Sequence, residues 1–328
     1  MSEAIGLKGV RKTFGPKVAV SNLDLSIPQG GVYGFIGPNG AGKTTTLRMI
    51  MSILFPDSGE ISVLGHRSAL EAKDRIGYLP EERGVYKKMK VGAFLTFVAR
   101  LKGRDGPDLP RRVSGWLERV GLGDTEKKKA EELSKGMQQK IQFIASVIHE
   151  PDLLILDEPF SGLDPVNMRL LRDLVIEQHA RGATILFSTH VMTQAEQICD
   201  HVVMINDGEK VLDATLPEIR SRFDPRSLEF EPLDPAASIE PLKALPGVES
   251  VEKDGSGWEL RLAEGIDPSA LMRAAVATMP AARVEVRRPT LEDVFVEIVT
   301  RGTNLTNLSD LRASLREGGA GHARPAAR

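Results

Sequence analysis

The chain has 328 residues, 43 Lys and Arg against 45 Asp and Glu, a formal charge of −2 and a single cysteine, Cys199. That length accommodates one large domain and a smaller second one, each with its own core. The near-neutral balance offers no general attraction for nucleic acid, a lone cysteine excludes an internal disulfide and suits a reducing cytosol, and no apolar run approaches the ~20 residues of a membrane-spanning helix.

Taken in order, residues 5–27 place Leu7, Val10, Val18, Val20, Leu23, Leu25 and Ile27 in loose alternation around a turn at Gly15-Pro16, which predicts an antiparallel sheet. Phe14, just before that turn, is an aromatic ring placed where it can stack on a purine. Residues 32–36 read as a buried strand and turn through Gly37-Pro38-Asn39-Gly40-Ala41-Gly42-Lys43-Thr44-Thr45 into a helix. This is the context that a P-loop requires. Its glycines let successive backbone N–H groups turn inward around a phosphate, and the helix N-terminus adds positive potential there. Lys43 can then reach the β- and γ-phosphates and the Thr44 hydroxyl can ligate a magnesium ion, so a nucleoside triphosphate is the expected ligand.

A turn at 56–59 and a strand at 60–63 follow, then a short strand at 76–80 that runs into Glu81 and Glu82. Residues 91–120 have helical periodicity, with Phe94, Leu95, Phe97, Val98 and Leu101 on one face and Val113, Leu117 and Val120 on another, broken by a loop near 103–110. This section reads as a helical insert. It leads to Ser134, an N-cap whose following N–H groups can hold an anion, and to a helix carrying Ile141, Ile144, Val147 and Ile148. The apolar run Leu153-Leu154-Ile155-Leu156 reads as a buried parallel strand ending in Asp157 and Glu158. Beside a P-loop those two acids suit a magnesium ligand and a residue that polarises the attacking water, respectively. A helix over 166–181 and a buried strand over 184–188 come next. That strand delivers His190 to its carboxyl end, where open α/β sheets place ligand-binding groups. A hairpin spans 202–212.

The character changes near 222–226. Beyond it the order βαββαβ predicts a small ferredoxin-like domain with a final helix at 291–299. The expected division is therefore 1–222, with the insert at about 88–148; 223–300; and a tail, 301–328, too poor in apolar residues to fold alone.

Together these segments resemble the ATP-binding subunit of ABC transporters, across residues 3–220. The resemblance implies an α/β P-loop ATPase core with an antiparallel β subdomain and a helical insert, followed here by the ferredoxin-like α+β domain. It places the Walker A loop at residues 37–44 and the Walker B strand at 153–157, with Glu158 as catalytic glutamate. The signature LSGGQ falls on Leu133-Ser134-Lys135-Gly136-Met137, the D-loop on residues 161–164 ending in Asp164, the switch histidine on His190 and the adenine-stacking aromatic on Phe14. Implied catalytic residues are Lys43, Glu158 and His190, and implied metal ligands are Thr44, Asp157 and Glu81. The family pattern has glutamine at Glu81, glycine at Lys135 and glutamine at Met137, so the implied ATPase has altered tuning.

The implied cofactors are ATP and magnesium. The implied partners are a second copy, closing two ATP molecules between P-loop and opposite signature, and a membrane permease on a separate chain, with no nucleic acid. The IGYLPEERG stretch and the run from Pro289 to Phe295 resemble the subgroup powering bacterial sodium or drug efflux, which implies a cytoplasmic protein held at the inner face of the membrane. The alternative is a soluble ATPase of the same type acting on ribosomes or nucleic acid. The paired cassettes or long inserts usual there are not visible.

Overall fold

The computed structural model describes residues 2–82, 84–222, 227–263, 265–287 and 290–302; expectations resting on Arg83, Pro289 or the tail from 303 onward lie outside them. Contacts divide the chain into a unit up to Leu216, joined by residues from Ile298, and a unit Pro217–Glu297. The division falls a few residues before the boundary expected from composition.

In the first unit, β1 (Glu3–Phe14) and β2 (Lys17–Pro28) form a hairpin through Gly15. Next come β3 (Val32–Ile36), α1 (Lys43–Ile50) and β4 (Ser58–Val63), which joins the hairpin in an antiparallel sheet of order β2-β1-β4. After β5 (Ile76–Leu79) the insert contributes α2 (Val91–Leu101), α3 (Leu109–Arg119) and α4 (Lys135–Val147). The chain then alternates through β6 (Leu153–Asp157), α5 (Pro165–Ala180), β7 (Thr184–Thr189), α6 (Met192–Ile198), β8 (His201–Asn206) and β9 (Glu209–Thr215), and α7 (Leu216–Arg222) begins the second unit.

The six-stranded sheet has the order β5-β6-β7-β3-β8-β9, parallel except for the β9 edge. Every residue of β6 and β7 is buried, which is why residues 153–156 and 185–187 are unbroken apolar runs rather than alternations. Ile5 and Leu25 of the antiparallel sheet, Leu47 of α1 and Phe35, Ile155 and Leu186 of the parallel one share a single core. Because β3, β5, β6 and β7 are parallel, their carboxyl ends emerge on one edge, and the segments holding Gly37, Glu81, Glu158 and His190 are delivered together.

Some expectations were incomplete. Helix α2 buries Val91, Phe94, Leu95 and Ala99, whereas Phe97 and Leu101 of the expected apolar face lie exposed. The turn Ala69–Arg75 and the short helices α6 and α7 carry too few residues for a periodicity to register.

The second unit holds β10 (Ser227–Pro232), α8 (Glu240–Lys243), β11 (Val248–Asp254), β12 (Gly257–Leu262), α9 (Pro268–Thr278) and β13 (Ala281–Val286), with α10 (Leu291–Gly302) following. Its four strands pair antiparallel in the order β11-β12-β10-β13, the ferredoxin-like arrangement. Leu228, Phe230, Leu260 and Leu262 on the inner face pack with Leu242, Leu271 and Ala275 of the helices. The expected helix at 238–245 is a single turn, and Asp267 caps α9 by accepting from the Ser269 and Ala270 N–H groups.

Candidate functional site

The loop between β3 and α1 is squeezed from two sides. A Cβ at Gly37 would stand 2.1 Å from the Ile205 carbonyl oxygen, and one at Gly42, where φ is 105°, would stand 2.3 Å from the Ala19 carbonyl oxygen. Only glycine fits at either place. The β8–β9 turn braces the same loop: the Gly208 N–H donates to the Ala41 carbonyl at 3.0 Å, and the Gly208 carbonyl accepts from the Ser21 N–H at 2.8 Å. Asp207 and Gly208 both have positive φ, the signature of a tight primed hairpin turn.

Lys43 folds back over this loop, its ammonium donating to the Gly37 carbonyl at 2.7 Å and the Pro38 carbonyl at 3.1 Å. Burial disfavours the charged ammonium and holds its pKa below the usual lysine range, while Glu158, Asp157 and Glu81 pull the other way. Glu158 stands at φ 48°, a left-handed conformation that is rare for a residue with a side chain. Its backbone N–H donates to the Ser188 carbonyl at 3.1 Å. One carboxylate oxygen accepts the His190 backbone N–H at 3.0 Å, meets His190 Nδ1 at 2.8 Å and lies 4.0 Å from the Lys43 ammonium. The constraint thus aims a nearly buried carboxylate between an imidazole and the P-loop lysine.

Asp157 is fully buried. Its Oδ1 accepts from the Thr44 hydroxyl at 3.3 Å and from the Ser188 hydroxyl. Its Oδ2 is buried with no hydrogen-bond partner, and burial raises the pKa of the carboxyl group. An orphaned carboxylate oxygen beside a hydroxyl is an environment a hard cation or its water would satisfy, so the residues present fit magnesium. Among the described residues no group of three or more His, Cys, Asp or Glu side chains could hold a metal ion. An ion here would therefore lean on phosphate oxygens and water, as magnesium does in nucleotide sites.

Glu81 completes the charge pattern. Burial first, then repulsion from Asp157 and Glu158, raises its pKa. Phe14, Lys17, Asn39, Lys43, Thr44, Thr45, Glu81 and Glu158 line one open cleft. The Phe14 ring is half exposed there, with the Lys12 ammonium 5.8 Å from its centroid.

Of the expected residues outside that lining, Gly37, Pro38, Asp157 and His190 hydrogen-bond to Lys43, Thr44 or Glu158 within it, whereas Ser134, Gly136 and Asp164 sit at the starts of α4 and α5. Ser134 caps α4, accepting the Met137 N–H at 3.3 Å, and Gly136 follows in the first turn. Asp164 caps α5 through the Val166 and Asn167 N–H groups, 3.0 Å each. The structure also brings in residues the sequence reading passed over. Ser188 holds Asp157, and the Thr189 hydroxyl lies 3.4 Å from Glu158 Oε2. Two buried glutamines of α4 reach loops beside the acids: Gln139 donates to the Pro159 carbonyl, and Gln142 to the Pro80 and Glu82 carbonyls. A signal existed for these in two polar residues ending an apolar strand and in glutamines three apart on an apolar helix face.

Residues 20–161 match the family model for the ABC transporter, and residues 215–299 match that for the C-terminal domain of DrrA1-3-like ATP-binding proteins. The chain is 42% identical over 290 residues, 88% of its length and 96% of the relative's, to the uncharacterized ABC transporter ATP-binding protein YhaQ of Bacillus subtilis (strain 168). It is 34% identical to the Nod factor export ATP-binding protein I of Burkholderia orbicola, covering 90% of this chain and 97% of that one. To the daunorubicin resistance ATP-binding protein DrrA3 of Streptomyces coeruleorubidus it is 32% identical, covering 90% and 95%. Among solved structures, an ATP-binding subunit of an ABC transporter superposes with a TM-score of 0.62 at 31% identity, covering 67% of this chain and 93% of that one.

Proposed function

The chain belongs to the ATP-binding subunits of ABC transporters, and from that premise we propose that it is the motor of an exporter, hydrolysing ATP as a two-copy sandwich to drive a separately encoded membrane permease. Members of this family bind ATP and hydrolyse it to power transport. Among the described residues no helix is long and apolar enough to cross a membrane, so a permease on another chain is the natural partner. Export is the direction favoured by relatives named for Nod factor export and daunorubicin resistance. The corresponding station is the cytoplasmic face of the membrane.

In this reading residues 37–45 wrap the phosphates, Phe14 stacks on the adenine and Lys43 binds the terminal phosphates. Thr44, Asp157 and Glu81 hold magnesium, which neutralises phosphate charge amid three carboxylates. Glu158 draws the proton from the attacking water, and His190 fixes its carboxylate. The observation that carries the dimer is the division of the expected groups: Phe14, Lys43, Glu81 and Glu158 line one cleft and Asp157 and His190 bond to its lining, while Ser134, Gly136 and Asp164 sit at helix starts outside it. A second copy placed head to tail supplies those groups, and the symmetry closes.

We infer that the permease docks just past Glu81. Tyr86 and Leu101, 60% and 59% exposed, flank Phe97, with Tyr86 set edge-on to Phe97 at 6.3 Å and Lys87 and Lys88 alongside. Aromatic side chains left in water beside cations suit a short partner helix with an apolar face and acidic flanks.

Mixing two disabled chains tests the composite site. Tagged Lys43→Ala and untagged Ser134→Arg are each expected to remain monomeric with a non-hydrolysable ATP analogue. Mixed, the tagged chain retains the untagged one when the analogue is present, because one of the two sites is intact. No retention would mean that Ser134 does not serve the partner's nucleotide.

A further inference from the structure

Helix α4, capped by Ser134, carries Gln142 two turns on, a residue only 5% exposed. Its amide nitrogen donates to the Pro80 carbonyl and to the Glu82 carbonyl, each at 3.1 Å. Those are the two carbonyls on either side of Glu81. Turning the amide around would set its oxygen against both carbonyl oxygens, so the acceptors themselves fix its orientation. The amide oxygen is buried with no hydrogen-bond partner. An apolar side chain would avoid that desolvation penalty, so what the glutamine offers this position is its pair of donors.

We propose that Gln142 is a positioning residue for Glu81. With a donor on each flanking carbonyl, the turn cannot rotate about Glu81 without breaking one of the two bonds. The carboxylate is thereby held toward Thr44 and Glu158 across the cleft. Since the clamp sits on α4, the turn also follows that helix: Ser134 and Gln142 lie eight residues apart on one rigid rod, about 12 Å along its axis. When the start of α4 engages a nucleotide held by the second copy, the displacement reaches the Glu81 turn of its own site. One amide then links the two sites of the sandwich. Gln139, three residues earlier, makes the corresponding contact to the Pro159 carbonyl and leaves the Glu81 turn to Gln142.

The inference rests on Glu81 belonging to the metal environment, and the test separates the two ideas. Gln142→Leu removes both donors, and Gln142→Met does so with a more adaptable side chain should the leucine impair folding. In the nucleotide-free protein, amide hydrogen exchange across Glu81 and Glu82 is expected to quicken about tenfold, while the strand leading to Asp157 exchanges as in the wild type. With a non-hydrolysable ATP analogue and manganese as paramagnetic probe, metal affinity is expected to fall about tenfold, the low end of what losing an outer partner of a ligand costs. In a Glu81→Ala background the same substitution should change metal affinity no further. Unchanged exchange, unchanged metal affinity or additive losses overturn the positioning role and leave Glu81 a ligand. A merely structural glutamine would lower the melting temperature and move neither readout. If Glu81→Ala binds manganese as tightly as the wild type, Glu81 is not a ligand and the inference falls with it.

Discussion

Replacing Glu158 by glutamine preserves the shape of the side chain and an oxygen for the His190 N–H, while removing the negative charge. In the nucleotide-free protein that charge faces the Lys43 ammonium at 4.0 Å, with the two residues only 8% and 6% exposed. A unit pair at this distance attracts by about 4 kcal/mol at an effective dielectric near 20. Lys43 keeps Asp157, Glu81 and two loop carbonyls after the substitution, so only part of this attraction is released to an incoming γ-phosphate. If about a third passes to the phosphate, ATP binds roughly tenfold tighter, a gain of about 1.4 kcal/mol. Turnover moves the opposite way: losing a general base lowers it by about two to four orders of magnitude, or about 3–5 kcal/mol in the barrier. Because the γ-phosphate then persists, the ATP-held dimer should persist too, and a further Ser134→Arg should dissolve it. Single-turnover phosphate release, fluorescent-nucleotide titration and size-exclusion chromatography in ATP measure the three effects separately. Phosphate release within about threefold of the wild type would exclude Glu158 as the base. Weaker ATP binding would refute the electrostatic argument, and a monomer at saturating ATP would refute the sandwich.

Glu81→Gln removes one of three carboxylates that repel phosphate when metal is absent, so activity should persist with a shallower dependence on magnesium; coincident magnesium titrations of variant and wild type would refute this. His149 is buried with Nε2 3.1 Å from the Ile76 carbonyl and Nδ1 unpartnered, and burial, aided by Lys102, pushes its pKa down from 6.5 to about 4. The unfolded chain binds this proton below about pH 6.5 and the folded one only below about pH 4, so stability is lost as pH falls through that window, by about 2 kcal/mol at pH 5. His149→Gln should lack this component in denaturation midpoints measured at pH 7 and 5, and an identical pH dependence would refute it. Phe230→Ala empties the centre of the second unit's core and should cost about 3–5 kcal/mol. Calorimetry should show a transition for that unit moved to lower temperature with ATP binding intact; loss of ATP binding would refute independent cores.

What the sequence revealed depended on the range of the interaction. The P-loop was legible because nine contiguous residues carry it, between a strand pattern and a helix pattern. The ferredoxin-like order was legible from alternation, since βαββαβ leaves few ways to pair four strands. The clamps were not legible. Ser188 reaches Asp157 across 31 positions and Gln142 reaches Pro80 across 62, distances over which only a folded sheet brings groups together. Phe97 and Leu101 show the opposite limit: periodicity groups apolar residues on a face, but burial depends on whether a neighbour covers it. The conformation of Glu158 was hidden for a third reason, because nothing in an acidic residue after a strand announces a positive φ.

Surface hairpin tips are ordinarily where foreign sequence can be spliced in, since the backbone there makes few obligatory contacts. The Asp207-Gly208 tip is an exception, because its carbonyl and N–H bind Ser21 and the Ala41 carbonyl, and Gly208 allows an approach that would put a Cβ 2.9 Å from the Ala19 carbonyl oxygen. An epitope or fluorescent reporter inserted there would unseat the nucleotide loop although no nucleotide-contacting residue had changed. For labelling this protein, the Gly255 turn between β11 and β12 is the better site: φ there is 56°, a Cβ would meet nothing within 4 Å, and the turn belongs to the other compact unit.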